Sequence, residues 1–228
     1  MEPHLLALIA SSLGFVGGHF ALSHPLRAPL VGVLGEKGFA ALYSLVAFVT
    51  LGGMMVAFRA MGPGGPALWN GGAALPWGIA SLLTLIALTL LLGALKGNPA
   101  LPLMPGSVIA NARATGVFAV SRHPMMWGFA LWALAHMAVS PTPRTLVVAG
   151  SVLVLALVGA ALQDAKKEKL LGEAWKGWEA QTRYWPRIAG LAQVSPVLWI
   201  AGALAWAAIT WAHMPLAGVS AGVWRWLG

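Results

Sequence analysis

Long apolar runs, not period-two alternation, dominate this chain. Six stretches stand out, at residues 3–23, 38–58, 73–94, 123–139, 146–162 and 196–213. Each is close to the roughly 20 residues that a helix needs to cross hydrocarbon, with the fourth and fifth shorter. The pattern predicts an all-α polytopic transmembrane helix bundle of about six spans, folded as one domain over residues 1–228. There is no internal repeat and no low-complexity tract. The first run does not read as a cleavable leader, because it lacks a basic start and because His19, Pro25, Leu26 and Arg27 follow its core. One polar segment has helical order of its own. Over residues 165–185, Leu170, Leu171, Ala174, Trp175 and Trp178 share a face, and Lys and Glu cover much of the rest. This predicts an amphipathic helix that lies at the membrane surface or caps the bundle. A solvated connecting helix is the plainer alternative.

Composition strengthens the membrane reading. Only 9% of the 228 residues are charged and the mean hydropathy is +0.78, whereas a soluble domain carries about 25% charged residues. The net charge of +8 is explained by topology. Of fourteen Lys and Arg, all but Arg59, Arg144 and Arg225 fall in the loops after the first, third and fifth runs. The positive-inside rule places those loops in the cytoplasm and both termini outside. For a bacterial chain this means a multi-pass protein of the cytoplasmic (inner) membrane. A nucleic-acid partner has no support beyond charge. The absence of cysteine excludes disulfides, thiolate haem ligation, cysteine zinc sites and covalent c-type haem attachment.

Few polar side chains sit at membrane depth, so candidates for chemistry are few. His4 and His213 fall at outer ends and suit structural or interfacial roles. His19 follows Gly14 and Gly18, four apart on one face. Such a face packs closely on another helix or leaves room for a flat cofactor beside the imidazole. His123 precedes Pro124, which suits the first turn of a helix, and this puts His123 at the rim as an N-cap or loop contact. His136 lies about 20 Å further along and is turned by about 220°. A straight helix cannot bring His123 and His136 to one small ligand. Neutral imidazoles on facing spans hold haem, whereas zinc wants three or four ligands. Asp164 is the one acid near membrane depth. On chemistry alone, hydrogen-bonded structural histidines come ahead of haem ligation.

Three stretches together carry a resemblance. They are HFALSHPLR at 19–27, SRHPMMWG at 121–128 running on to LAH at 134–136, and Asp164 followed by GEAW at 172–175 and Thr182. GEKGF at 35–39 and LYSL at 42–45 fit the same set. The chain resembles the NnrU family of bacterial membrane proteins, which is named for a link to nitrite and nitric oxide reduction. The shared motifs lie within 1–190, and a last span and Trp-rich tail occupy 195–228. That family is similar to the plant zeta-carotene isomerase, a haem b membrane enzyme that turns a cis double bond to trans. The resemblance implies haem b held by His19 and His136, with His123 beside them, and a redox-gated isomerisation of a polyene drawn from the lipid. It assigns Arg122, Asp164 and Arg183 to orienting loops or haem propionates. The matching run here has one extra residue before Leu26.

Depth strains the His19–His136 pairing, since the two lie toward opposite ends of their spans, more than about 10 Å apart along the bundle. The rival pairing is His19 with His123. Two other readings stand beside it. One is a non-enzymatic sensor or assembly factor for a membrane reductase, with nitric oxide as ligand. The other follows a second resemblance, to isoprenylcysteine and phospholipid methyltransferases, whose Arg-His-Pro motif and following polar helix serve S-adenosylmethionine. Those enzymes usually carry adjacent glutamates in that helix, where this chain reads DAKKE at 164–168.

Overall fold

The computed structural model describes residues 2–101 and 104–227. Residues 102–103 of the long loop and the two end residues of the 1–228 domain lie outside that part. Among the described residues nine α-helices follow in order: α1 (Pro3–Ser23), α2 (Arg27–Ala60), α3 (Ala74–Gly93), α4 (Gly106–Ala110), α5 (Pro124–Val139), α6 (Pro143–Leu171), α7 (Glu173–Gln181), α8 (Pro196–Ala217) and α9 (Trp224–Leu227). Two 3-10 turns, Gly116–Ala119 and Ile188–Gln193, pack on each other between them. No strand occurs among the described residues, and the all-α expectation holds.

Five helices, α1, α2, α3, α6 and α8, are long and apolar enough to span a membrane. The chain is a multi-pass membrane protein. The sixth expected span, α5, has 16 residues and is about 24 Å long. It runs between α3 and α6, which cover it on two sides. The helices form a row in the spatial order α8, α3, α5, α6, α1, α2, with α2 lying along α1 and touching α6 lightly. Their outward faces stay apolar, as at Phe48, Leu82 and Leu204, because lipid, unlike water, does not penalise them.

Two boundaries differ from the sequence reading. Helix α2 begins at Arg27, not 38, because Gly35 takes φ +69° and joins a short N-terminal piece to the span. The bend is braced by Arg27, which pairs with Glu36 at 2.9 Å and stands over the Phe39 ring. Helix α6 has 29 residues, about 43 Å at 1.5 Å per residue. It therefore overruns the bilayer and carries Asp164, Lys166 and Lys167 past the apolar zone. It stops at Gly172, so the expected single surface helix over 165–185 is really the end of α6 plus a separate α7. The apolar face of α7 does not lie on lipid. Trp175 and Trp178 are fully buried against α4 with Ala100 and Ile109, which makes α7 a cap on the bundle.

The glycine pair of the first span also resolves. Gly14 faces open space, and Gly18 meets Val46 of α2 in ordinary contact. Tight helix crossings lie elsewhere, at Gly128 of α5 and at Gly202 of α8, both against α3.

Candidate functional site

The segment 119–123 leads into α5 and is pinned by the 183–187 loop. The Arg122 amide donates to Arg183 O at 2.8 Å, and the Arg187 amide donates to Val120 O at 2.9 Å. The Ser121 hydroxyl and the Trp127 indole both donate to Tyr184 O at 2.8 Å. The Tyr184 hydroxyl in turn donates to Leu157 O of α6. Pro124 then opens α5, as the sequence predicts, but His123 is not a side-chain cap. It points inward and is 1% exposed.

His123 is held from one side only. Its Nε2–H donates to Asp164 Oδ1 at 2.7 Å, and its Nδ1 is buried with no protein partner. Arg122 binds the other carboxylate oxygen of Asp164 through Nε at 2.8 Å and Nη2 at 2.6 Å. The same Nη2 reaches Glu179 of α7 at 3.1 Å. One acid at the end of α6 thus orients an imidazole and a guanidinium that are neighbours in the sequence. An unmet buried nitrogen costs about 1–3 kcal/mol, and Nδ1 of His123 is such a group.

A cavity of about 720 Å³ lies beside His123, between α1, α2, α5 and α6, and is lined toward the basic end by Asn98, Ala100 and Leu101. That is within the roughly 300–1,000 Å³ usual for cofactor and small-molecule sites. Phe15, Phe20, Phe39, Tyr43, Met126, Phe129 and Leu155 make its walls. Its polar end carries His24, Arg27, Asn98, Gln163 and Lys166. His19 and His123 both line it. The Nδ1 of His19 is bonded to Phe15 O at 2.8 Å, which leaves Nε2 as the free nitrogen, and Phe15 and Tyr43 pack edge-on around the ring.

His136 does not line this cavity. Its Nδ1 donates to Trp132 O, its ring lies against Trp132, and it faces His213 of α8 with ring centroids 6.4 Å apart. Arg183 lines a different and smaller pocket. The structure therefore groups His19 with His123, and His123 with Arg122 and Asp164. No cluster of three or more His, Asp and Glu suited to a bare metal ion occurs among the described residues.

The family model for NnrU protein matches residues 7–221. The chain belongs to the NnrU family. No curated protein and no solved structure matches it. In this NnrU protein the motif residues Arg122, His123 and Asp164 are one hydrogen-bonded unit, and the match extends beyond residue 190 into the last span.

Several site residues escape a linear reading. Glu168 and Glu179 are eleven residues apart, but the break at Gly172 folds α7 back on α6. The Glu179 carboxyl is pushed up to about 7 by burial and by the hydrogen bond that its protonated form donates to the Glu168 carboxylate, against the pull of Arg122. The chain therefore has a carboxyl pair after all, made by tertiary contact and not by adjacency. A folded pKa raised above the unfolded value near 4.5 means that the stabilising form is protonated. Its contribution is complete below about pH 4.5 and is lost as pH rises through 7. The thermal midpoint in detergent is thus expected to fall between pH 5 and 7.5, and less steeply in Glu179→Gln. An unchanged slope in that variant assigns the proton elsewhere. Tyr184 was also silent in the sequence, since its role lies in backbone and ring contacts.

Proposed function

We propose that this NnrU protein holds haem b in the cavity between α1, α2, α5 and α6, with His19 and His123 as its ligands, and acts on a lipid-soluble polyene. The observation that carries this reading is the pair of histidines lining one cavity, each with one ring nitrogen anchored and the other uncommitted. Histidine ligands characteristically give their second nitrogen to a carboxylate or a backbone carbonyl. Asp164 supplies the first and Phe15 the second. The donor set fits an iron porphyrin, which needs two axial nitrogens, better than bare zinc, which needs three or four ligands.

When bound, haem supplies a redox-switchable iron centre able to act on a double bond. The protein's own residues do the rest. Asp164 fixes the tautomer and ring plane of His123, and Arg122 holds Asp164 in its ionised form. Lys166, which has no ion-pair or hydrogen-bond partner among the described residues, lines the polar end where propionates belong. Phe20, Phe39, Met126 and Phe129 give an apolar wall that excludes water. The walls of the cavity are mostly apolar, which suits a lipid-soluble polyene as the molecule acted on. In the same reading the basic end faces the cytoplasm of a bacterial inner membrane.

The test is an optical spectrum of detergent-purified protein made with ample haem, oxidised and dithionite-reduced. A low-spin haem b spectrum is expected in the wild type and in His136→Ala, and is expected to be lost in His19→Ala and His123→Ala. Retention in His123→Ala with loss in His136→Ala overturns the pairing in favour of His19 with His136. A wild type that takes up S-adenosylmethionine and no haem overturns the haem reading altogether.

A further inference from the structure

A second pocket lies outside this site. It measures about 230 Å³ and is walled by Ala114, Phe118 and Ala119 on one side and by residues 180–183 and Arg187 on the other. It is mounted rigidly, because the backbone of both Arg183 and Arg187 is bonded to the 119–123 segment. Thr182 and Gln181 also line it, but their side chains are bonded to Trp178 O and Gly177 O. The two guanidiniums are different. Neither has a carboxylate or carbonyl partner among the described residues, although Arg122, one residue from their anchor, has two acids.

Its surroundings say which anion is meant. Trp185 lies between the two arginines in sequence and is 67% exposed, and Ile188 follows at 83%. Helix α8 starts just beyond, with Val197 and Ile200 exposed on its first turns. In a membrane protein such side chains contact lipid, and an exposed Trp marks the headgroup level. The guanidiniums of Arg183 and Arg187 therefore sit at the depth of lipid phosphates, next to surface that acyl chains cover. Two forked donors suit the oxygens of a phosphodiester better than a lone ammonium does.

We propose that the Arg183–Arg187 pocket is a binding site for the phosphate of an anionic phospholipid from the leaflet at the basic end. The site is independent of haem and of the large cavity. It fixes the cap, because the 183–187 loop also holds Arg122 and Ser121 in place.

The test compares full-length delipidated protein in neutral detergent with added phosphatidylglycerol, phosphatidylcholine or inorganic phosphate. Tryptophan fluorescence follows thermal unfolding, and native mass spectrometry counts retained lipid. Phosphatidylglycerol is expected to raise the midpoint and to be retained about tenfold over phosphatidylcholine. That preference is expected to vanish in the Arg183→Gln, Arg187→Gln double variant. Equal retention of the two lipids by the wild type overturns the proposal even if the double variant does not fold. An undiminished preference in a folded double variant overturns it too. The same midpoint rise with inorganic phosphate alone shows a free-anion site and overturns the lipid assignment.

Discussion

Asp164→Ala is expected to destabilise the protein by about 3–5 kcal/mol, the usual cost of removing one member of a buried charged pair. The side chain is only 11% exposed and accepts from both His123 and Arg122. Its loss leaves His123 with neither ring nitrogen bonded and leaves Arg122 facing Glu179 alone. Asp164→Asn keeps an acceptor for Nε2–H of His123 but not the charge that Arg122 needs, so its cost falls between wild type and Ala. Equilibrium unfolding in detergent measures both. Adding Arg122→Ala to Asp164→Ala is expected to cost less than the sum of the two, since they remove the same interaction. A strictly additive pair of losses would show that the contact contributes nothing, whatever its geometry. Asp164→Ala is also expected to loosen His123 enough to weaken cofactor retention, whereas Asp164→Asn keeps more of it.

Gly128→Val is expected to be strongly damaging. A Cβ at Gly128 meets the Ala87 carbonyl oxygen at 2.8 Å and Leu91 Cβ at 3.5 Å. The first of these is backbone in the middle of α3 and cannot rotate aside. The α3–α5 crossing is thus set by a glycine that lets two backbones approach, the usual device between spans in lipid. Overpacking at such a point costs about 1–3 kcal/mol for a small addition, and a branched side chain sits at or beyond the upper end. Gly128→Ala should cost less than Val but remain clearly destabilising. Gly17 and Gly150 are the controls, since a Cβ at either meets nothing within 4 Å. Alanine there is expected to be neutral or to add up to about 1 kcal/mol through helix propensity. If Gly128→Ala matches those controls, the crossing is not the constraint described. A shift at this contact also moves the start of α5, so loss of the His123–Asp164 bond is the expected companion effect.

The sequence by itself determined the bundle. A chain that is 59% hydrophobic and 9% charged, with apolar runs near 20 residues, satisfies its backbone in a membrane as helices, and run length located the spans. Proline marked a real event at Pro124, because its effect on φ is local, whereas the breaks at Gly35 and Gly172 went unread inside longer patterns. The family was legible too, from the Arg122–His123–Pro124 motif and its partners. What stayed hidden is which side chains meet. A histidine followed by proline reads as a rim residue, since helix pattern does not say that the next loop folds over it and buries it against Asp164. His136 carries the same periodic signal as any inward residue, yet α8 stands beside it and brings His213 opposite. Glu168 and Glu179 look like two solvated charges until α7 turns back at Gly172. Local conformation depends on near neighbours and is written in order along the chain. The site depends on contacts between residues 11 to 63 positions apart, and only the packing of the helices chooses among those.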